Sequence, residues 1–589
     1  MLFVQWEKMW CRVCEIETTE TVCSVCGYPT IEDDLGSVDN TIIHYCKNCS
    51  TPIIFKANDS QLGKCPLCNN KTDYLAKDIR PVFPEEKLLL SILLKRKHND
   101  VLKSNVWASN SRYYINDETV NFPSSIFRDA DTKDIKKQLD NNQNLVERES
   151  ESYKLYQKQI EKFIKTNKKR LDFIKDEAIS FVKHAYKSYE QEQIVLSFSG
   201  GKDSTASADI VIKALGNPTL THIFGDTTLE FPQTYEYVQR YRDNHPLAEF
   251  RIAKNNEQDF QKVCEDIGPP ARMMRWCCSM FKTGPITRIM NRKYGNKQII
   301  TFYGIRKVES TSRSKYSRIS QNTENVKIQK QTVASPIFFW KDIDVWLYIL
   351  GEGIDFNDAY RLGYDRVGCW CCPNNNTRAQ FLSRIYISDK AEKWRNFLID
   401  FAKSIGKPDS EEYVDTEKWK ARQGGNGLKS AGDVKLKFTA CTSEEHAKIY
   451  QLVRPFDDSF LNLMIPFGKV SKELGRKLIK ETVILEPKSN VPIITIQPFN
   501  QSGYEYAVKI KTQNVADHDD LQRMIGYQVK KYNACRKCLK CESVCKQGAI
   551  SIIGDEYYIN EDRCVHCKMC VNQKYLVGGC MMDKYLRTK

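Results

Sequence analysis

Where the cysteines fall constrains this chain more than any other feature of it. Twenty-three are spread over 589 residues, yet eight lie before residue 70 and eight after residue 534. The first eight form four CxxC pairs: Cys11/Cys14, Cys23/Cys26, Cys46/Cys49 and Cys65/Cys68. Two thiolates at that spacing grip one metal ion from a tight turn, and two such turns complete a tetrahedral all-sulfur site. The segment is therefore expected to hold two structural zinc ions. Pairing in chain order is simplest, and the short gap between Cys14 and Cys23 leaves interleaved pairing open. A stretch with so little core of its own is stabilised by its metals.

The chain is too long for one core, so several domains are expected. Hydrophobic residues make up 41% and charged residues 28%. No run approaches the roughly 18 apolar residues of a membrane span, and the opening "MLFVQWEKMWCRVC" reaches a cysteine pair with no long apolar stretch behind it. The expectation is a cytoplasmic protein without a membrane partner, where thiols serve metals or redox chemistry rather than disulfides. A net charge of +15 fits an anionic partner: nucleotide, sulfate or nucleic acid.

From residue 190 onward strand-like runs alternate with helical ones: "IVLSF", "DSTASADIVIKAL", "THIFGD", "PQTYEYVQRYRDN", "EFRIAK", "QIITFYGI", "TVASPIF". Alternation of this kind predicts a parallel sheet covered by helices, with its ligand at the carboxyl ends of the strands. At such an end stands "VLSFSGGKDS", residues 195–204. Gly200 and Gly201 let the backbone approach an anion. The following helix N-terminus aims free N–H groups at it, and Lys202 and the hydroxyls of Ser199 and Ser204 add donors. The Walker spacing is absent. "SGGKDS" instead resembles the PP-loop of ATP pyrophosphatases, which implies an adenine nucleotide as ligand.

Further motifs sharpen the resemblance. "GDTTLEFPQTYEYV" (225–238), "RWCCSMFKTGP" (275–285), "GIRKVESTSRSKY" (304–316), "SPIFFWKDIDVWLYI" (335–349) and "GCWCCP" (368–373) recur in this order in the phosphoadenosine phosphosulfate (PAPS) reductase family, which residues 190–380 resemble. That family includes sulfonucleotide reductases, sulfate-activating adenylyltransferases and sulfur-transfer enzymes of DNA. With the zinc knuckles and "DIRPVFPEEKLLL" (78–90), the whole resembles an archaeal-type, adenylyl-sulfate reductase-like architecture. The resemblance implies a [4Fe–4S] cluster on Cys277, Cys278, Cys369 and Cys372 beside the substrate sulfate. Zinc is the other occupant for that group, and Cys371 is an extra thiol within it. Arg306, Lys307, Arg313, Lys315 and Arg318 crowd one stretch whose forks and ammonium groups suit sulfate and phosphate oxygens. Lys202, Asp203, Arg306, Arg313 and Lys315 are the expected catalytic residues. Asp226, at a strand end, and Asp203 are candidates to orient Mg2+ or ribose, with a helix cap as the plainer role for either. Cys264 and Cys441 read as small buried residues.

At the far end, "CRKCLKCESVCKQGAI" and "CVHCKMC" resemble the two-cluster bacterial ferredoxin. The resemblance implies one [4Fe–4S] cluster on Cys535, Cys538, Cys541 and Cys580, and a second on Cys564, Cys567, Cys570 and Cys545. Two departures stand out. Lys546 occupies the usual proline position, and nine residues, rather than a few, separate Cys570 from Cys580. Two adjacent clusters would form an electron wire fed by an external low-potential donor.

The expected fold is multidomain α/β: zinc-ribbon knuckles over 1–76, a small β-rich or docking domain over 77–150, and a PP-loop core with a doubly wound parallel sheet and helical lead-in over 151–384. An α+β connecting region over 385–529 and a ferredoxin-type domain over 530–589 complete it. In "NVWASNSRYYINDETVNF" (105–122) a β-hairpin is expected, and "ARQGGNGLKSAG" (421–432) reads as a linker or second anion loop. Three functions follow from the resemblance: reduction of an adenylyl sulfonucleotide (APS or PAPS) to sulfite, ATP-dependent adenylylation with sulfur transfer to tRNA or DNA, and non-enzymatic nucleic-acid binding. No Glu-Cys-Gly-Leu tetrapeptide, the thiol of thioredoxin-dependent reductases, occurs, so a reductase here needs another electron source, and the terminal module is one. The intact PP-loop and the basic charge weigh towards ATP and nucleic acid.

Overall fold

The computed structural model describes residues 9–32, 41–56, 61–295, 297–321, 331–554, 556–572 and 576–588. Residues 1–8, on which the reading of the chain's opening rests, lie outside them. Two compact units emerge, neither continuous in sequence. Unit one is Met1–Phe224, Leu229–Ile252 and Asn296–Glu392, and unit two is Gly225–Thr228, Ala253–Gly295 and Lys393–Lys589.

The central sheet has six strands in the order Glu249–Lys254, Thr221–Asp226, Ile194–Phe198, Ile299–Phe302, Gln331–Ala334, Ile319–Gln321. Strand Ile194–Phe198 pairs in parallel with Thr221–Asp226 on one side and Ile299–Phe302 on the other. Gln331–Ala334 continues the parallel run, and Ile319–Gln321 closes the edge antiparallel. The chain moves outward from Ile194–Phe198, then returns beside it. Strand order therefore reverses at that strand, which places a ligand crevice at its carboxyl end. Helices Lys202–Leu215 and Pro232–Asn244 make the crossovers. Their runs and those of the strands are the ones the apolar patterning predicts.

The charged lead-in forms helices Glu151–Thr166 and Lys168–Ala185. In the first, Tyr153, Tyr156, Ile160 and Phe163 fall on one face and are buried, as the spacing demands. Helix Asp342–Gly351 is apolar around its circumference and buried from Ile343 to Ile349, the signature of a helix enclosed on all sides. The expected hairpin at 105–122 is part of a four-stranded antiparallel meander with Arg80–Pro81.

Each pair of zinc knuckles forms a three-stranded sheet, one around Met9–Cys11 and one around Thr41–Cys46. Arg318 anchors the first to the core. Its guanidinium, 0% exposed, donates to both Glu177 oxygens, at 2.5 and 2.9 Å, and lies 3.8 Å from the centre of the Phe181 ring. Arg12 and Tyr28 from the knuckle reach the same carboxylate.

Unit two is built on a six-stranded antiparallel sheet, in the order Phe438–Ala440, Ala447–Leu452, Tyr506–Thr512, Pro492–Phe499, Thr482–Leu485, Lys469–Ser471. Helix His518–Ala534 runs from it to the cysteine-rich end. Segment 253–295, which the sequence pattern assigns to the nucleotide core, folds here. Its ties are physical. Trp276 is buried against Phe260, and Arg422 donates to the carbonyls of Ile267 and Pro269 at 3.0 and 2.8 Å. The glycine-rich stretch 421–432 serves packing: a Cβ on Gly425 would lie 2.3 Å from the carbonyl oxygen of Leu586. Among the described residues no helix is long and apolar enough to cross a membrane.

Breaking the Arg318 pair leaves the Glu177 carboxylate with Arg12, 3.8 Å away, as its remaining cation, and loss of one partner of a buried pair costs up to about 3–5 kcal/mol. Arg318→Met should lower stability by up to that order in urea unfolding. An unchanged midpoint would refute the anchoring role.

Candidate functional site

After strand Ile194–Phe198 the backbone passes Gly200 at φ +69°, a conformation glycine takes without strain. A Cβ there would also meet Thr234 at 3.1 Å, and one on Gly201 would meet the Tyr360 hydroxyl at 3.2 Å. Gly201 begins helix Lys202–Leu215, whose N-terminal dipole and amides favour an anion. The hydroxyls of Ser199 and Ser204 are engaged within the turn: Ser204 donates to Gly201 O at 2.8 Å and accepts from the Ser199 amide at 3.2 Å. Asn357 holds the turn from outside, donating to Gly200 O at 3.1 Å. The Tyr360 hydroxyl accepts from the Lys202 amide at 3.0 Å.

The charged residues beside this turn compensate one another. Lys202 Nζ lies 3.0 Å from Asp342 Oδ1 and 3.4 Å from Asp203 Oδ2. Arg306 lies 2.7 Å from Asp203 and donates to Asp342 at 2.9 Å. Burial disfavours the Lys202 charge, but Asp203 and Asp342 more than offset this and hold its pKa above the usual lysine value. Burial likewise opposes the Asp342 charge, and Lys202 and Arg306 outweigh it, so that carboxyl stays below its usual range. Asp342 opens helix Asp342–Gly351, and Asp78 caps that helix by accepting from the Asp342 and Ile343 amides at 2.9 and 3.1 Å. Burial, and then the Asp342 charge, push Asp78 up to about 7. Lys341 donates to the carbonyls of Lys77, at 3.2 Å, and Thr41.

The basic stretch divides. Arg306 belongs to the PP-loop group, while Lys307 pairs with Glu15 at 3.2 Å and Arg318 with Glu177, both turned towards the first knuckle. Arg313 pairs with Glu309, and Lys315 is exposed. Asp226 falls in unit two, where it accepts from the Thr228 amide at 2.8 Å and lies 4.0 Å from Lys254. Asp342, Asp78, Asn357 and Tyr360 were not singled out by sequence reasoning. The one available signal was the acidic pair opening a helix in "WKDID".

The cysteine groups fall as follows. Cys11, Cys14, Cys23 and Cys26 come together, as do Cys46, Cys49, Cys65 and Cys68, with each set's sulfurs within 4.8 Å of one another. Pairing thus follows chain order. Zinc with sulfur arms of about 2.3 Å needs sulfurs about 3.8 Å apart. Cys11–Cys26, Cys46–Cys68 and Cys49–Cys65 stand at 3.5, 3.6 and 3.8 Å, so the donor sets fit zinc. Of the expected core group, Cys277 and Cys278 lie in unit two, and Cys369 and Cys372 in unit one. A hydrogen bond from Cys277, and Arg275 with its Nη2 at 3.4 Å, draw the Cys278 thiol down to about 5 against its burial. Cys369 pairs across a β-bridge with Glu230, and Cys371 beside it is buried.

In the terminal module Cys545, Cys564, Cys567 and Cys570 line one cavity. Burial, then the charges of Cys580, Cys541 and Cys535, raise the Cys538 thiol, so the four sequence-assigned partners act on one another. Both are all-sulfur sets of the kind an iron–sulfur cluster requires. Lys531 is buried between them, donating to the Cys570 carbonyl. Burial opposes its charge, and Cys541, Cys570, Cys580 and Cys535 sustain it, a pairing that suits anionic thiolate sites.

Three outcomes are expected. Cys65→Ser should leave one of two zinc ions per chain by metal analysis, and retention of both would refute the second site. Lys202→Met should weaken adenine-nucleotide binding by roughly ten- to a hundredfold, the loss of about 1.5–3 kcal/mol from a charge-assisted contact. Asp342→Asn, which removes one of the two carboxylates that compensate Lys202 and Arg306 and leaves Asp203 as the other, should tighten binding of a polyphosphate nucleotide. Calorimetry that finds neither change would place the nucleotide elsewhere.

Residues 193–375 match the family model of the phosphoadenosine phosphosulfate reductase domain. An uncharacterized protein of Methanocaldococcus jannaschii is 31% identical over 293 residues, which are 49% of this chain and 59% of the relative. This chain therefore spans less than two thirds of that protein. Adenosine 5'-phosphosulfate reductase of Staphylococcus epidermidis is 25% identical over 213 residues, 34% of this chain and 81% of the enzyme. Among solved structures, phosphoadenylyl-sulfate reductase from Candida auris aligns at 18% identity and a TM-score of 0.27, covering 34% of this chain and 95% of that one. The stretch that holds the glycine turn, the parallel sheet presenting it and the motifs around it is thus similar, over residues 193–375, to the phosphoadenosine phosphosulfate reductase domain.

Proposed function

We propose that the chain is an oxidoreductase that reduces an adenylyl sulfonucleotide to sulfite and AMP, with electrons from an external low-potential donor. One observation carries the reading: the Cys277–Cys278 segment of the reductase domain is built into the same compact unit as the eight terminal cysteines. A sulfur-transfer enzyme gains little from such a fusion, whereas a reductase lacking the thioredoxin-dependent thiol needs electrons at every turnover. Iron–sulfur clusters on these cysteines would supply one-electron transfer chemistry.

The chain's own residues have defined tasks in this reading. The turn Ser199–Ser204 and the helix N-terminus behind it hold the nucleotide phosphate. Lys202 and Arg306, already balanced by Asp203 and Asp342, suit a substrate without a terminal pyrophosphate. Arg313 and Lys315 are assigned to the sulfate, whose forked or ammonium donors match its oxygens. Two electrons enter the sulfuryl group, the bond between sulfur and the AMP phosphate oxygen breaks, and sulfur leaves as sulfite. The reductase names of the relatives and the domain match support the class of reaction.

A second reading, ATP-dependent sulfur transfer to tRNA or DNA, is favoured by the intact "SGGKDS". The two separate in one experiment. Anaerobic protein with reduced methyl viologen should yield sulfite and AMP from adenylyl sulfate or its 3'-phosphorylated form, without added thiol. Pyrophosphate release from ATP on addition of RNA or DNA, with no sulfite from either sulfonucleotide, would overturn the reductase reading in favour of the second.

A further inference from the structure

Within unit two, the two terminal cysteine sets have different surroundings. After Cys278 the chain makes a π-helical turn, Cys278–Thr283, that leads into helix Gly284–Tyr294. A Cβ on Gly284 would lie 2.9 Å from Leu539 Cβ, so the missing side chain admits the loop between Cys538 and Cys541. Leu539 is buried and holds φ 62°, an uncommon conformation for a bulky residue. Arg288, on the same helix, donates to both oxygens of Glu542 at 2.9 Å and to the Ile552 carbonyl at 2.8 Å. Arg536, beside Cys535, pairs with Asp266 and, at 2.6 Å, with Asp433. The other set faces elsewhere. Its cavity is lined by Pro466, His566 lies 2.9 Å from the Ile465 carbonyl, and Cys567 is exposed.

We infer that the two sets work in series: the inner set Cys535, Cys538, Cys541 and Cys580 couples to Cys277–Cys278 across the Gly284–Leu539 contact, and the outer set Cys545, Cys564, Cys567 and Cys570 meets the donor. This rests on the reading of all three cysteine groups as iron–sulfur sites. A one-electron donor, reduced methyl viologen in the test, is oxidised at the outer set for each electron that reaches the Cys277–Cys278 end. No bond is made or broken on the way. Two such electrons match the need of one sulfonucleotide. Leu539 is a positioning residue in this scheme: it keeps the inner set against the core pair.

The test is electron paramagnetic resonance of the full chain, reduced anaerobically. The core signal should be broadened by a neighbouring reduced site. That broadening should persist in Cys545→Ser, which removes the outer set, and vanish in Cys538→Ser, which removes the inner one. Gly284→Val with its iron retained should lose the broadening in part and slow the reduction of the core site in stopped flow. Arg288→Gln, which breaks the pair with Glu542, serves the same purpose if Gly284→Val loses iron. Broadening that vanishes in Cys545→Ser and survives in Cys538→Ser would overturn the order. Should Cys277→Ser retain all of its iron, the underlying cluster reading fails, an outcome separate from failure of the series.

Discussion

The Asp342 carboxylate is the interaction on which most of unit one's ligand crevice depends. It is shared by Lys202 and Arg306, it opens an enclosed helix, and the amide of the same residue is capped by Asp78. Opposite charges this close in a low-dielectric interior interact far more strongly than on a surface, and removing one partner strands the other. Lys341, its chain neighbour, is held by the carbonyls of Thr41 and Lys77. Thr41 starts the strand that ends at Cys46. A short run of contacts therefore joins the second cysteine knuckle to the glycine turn, and the sequence separation of about 300 residues hides it.

That path shows where sequence reasoning is strong and where it stops. Runs such as "IVLSF" and "PQTYEYVQRYRDN" declare their own structure, because strand and helix periodicity is local. The zinc knuckles declare theirs, because ligand spacing is local too, and their pairing in chain order needed only the structure to choose between two options. The role of Asp342 is a matter of which distant charges it meets, and no periodicity reports that. The same holds for the basic stretch 306–318. As a sequence it is one cluster of cations, but Glu15 and Glu177 claim Lys307 and Arg318, and only the fold distributes them.

An intact motif also conceals the state of its charges. "SGGKDS" reads as a lysine ready for pyrophosphate, whereas in the folded chain the ammonium is 2% exposed and flanked by two carboxylates. The turn keeps its backbone geometry, and what the side chain offers a ligand depends on residues far away in sequence. The grouping of 253–295 with the terminal module is of the same kind. Arg288 and Gly284 meet their partners, Glu542 and Leu539, only after more than a hundred further residues have been joined.

Unit two's discontinuity bears on how the chain comes into being. During synthesis, residues 253–295 leave the ribosome well before Lys393–Lys589, which complete their unit. Until then Phe260, Trp276 and Phe281, all buried in the finished fold, await their cover, and exposed apolar surface of this kind invites aggregation. Contacts across such sequence distances also form slowly, since the intervening loop must close first. The segment around Cys277 and Cys278 thus matures last, and that pair takes its final surroundings only once the terminal cysteines have arrived.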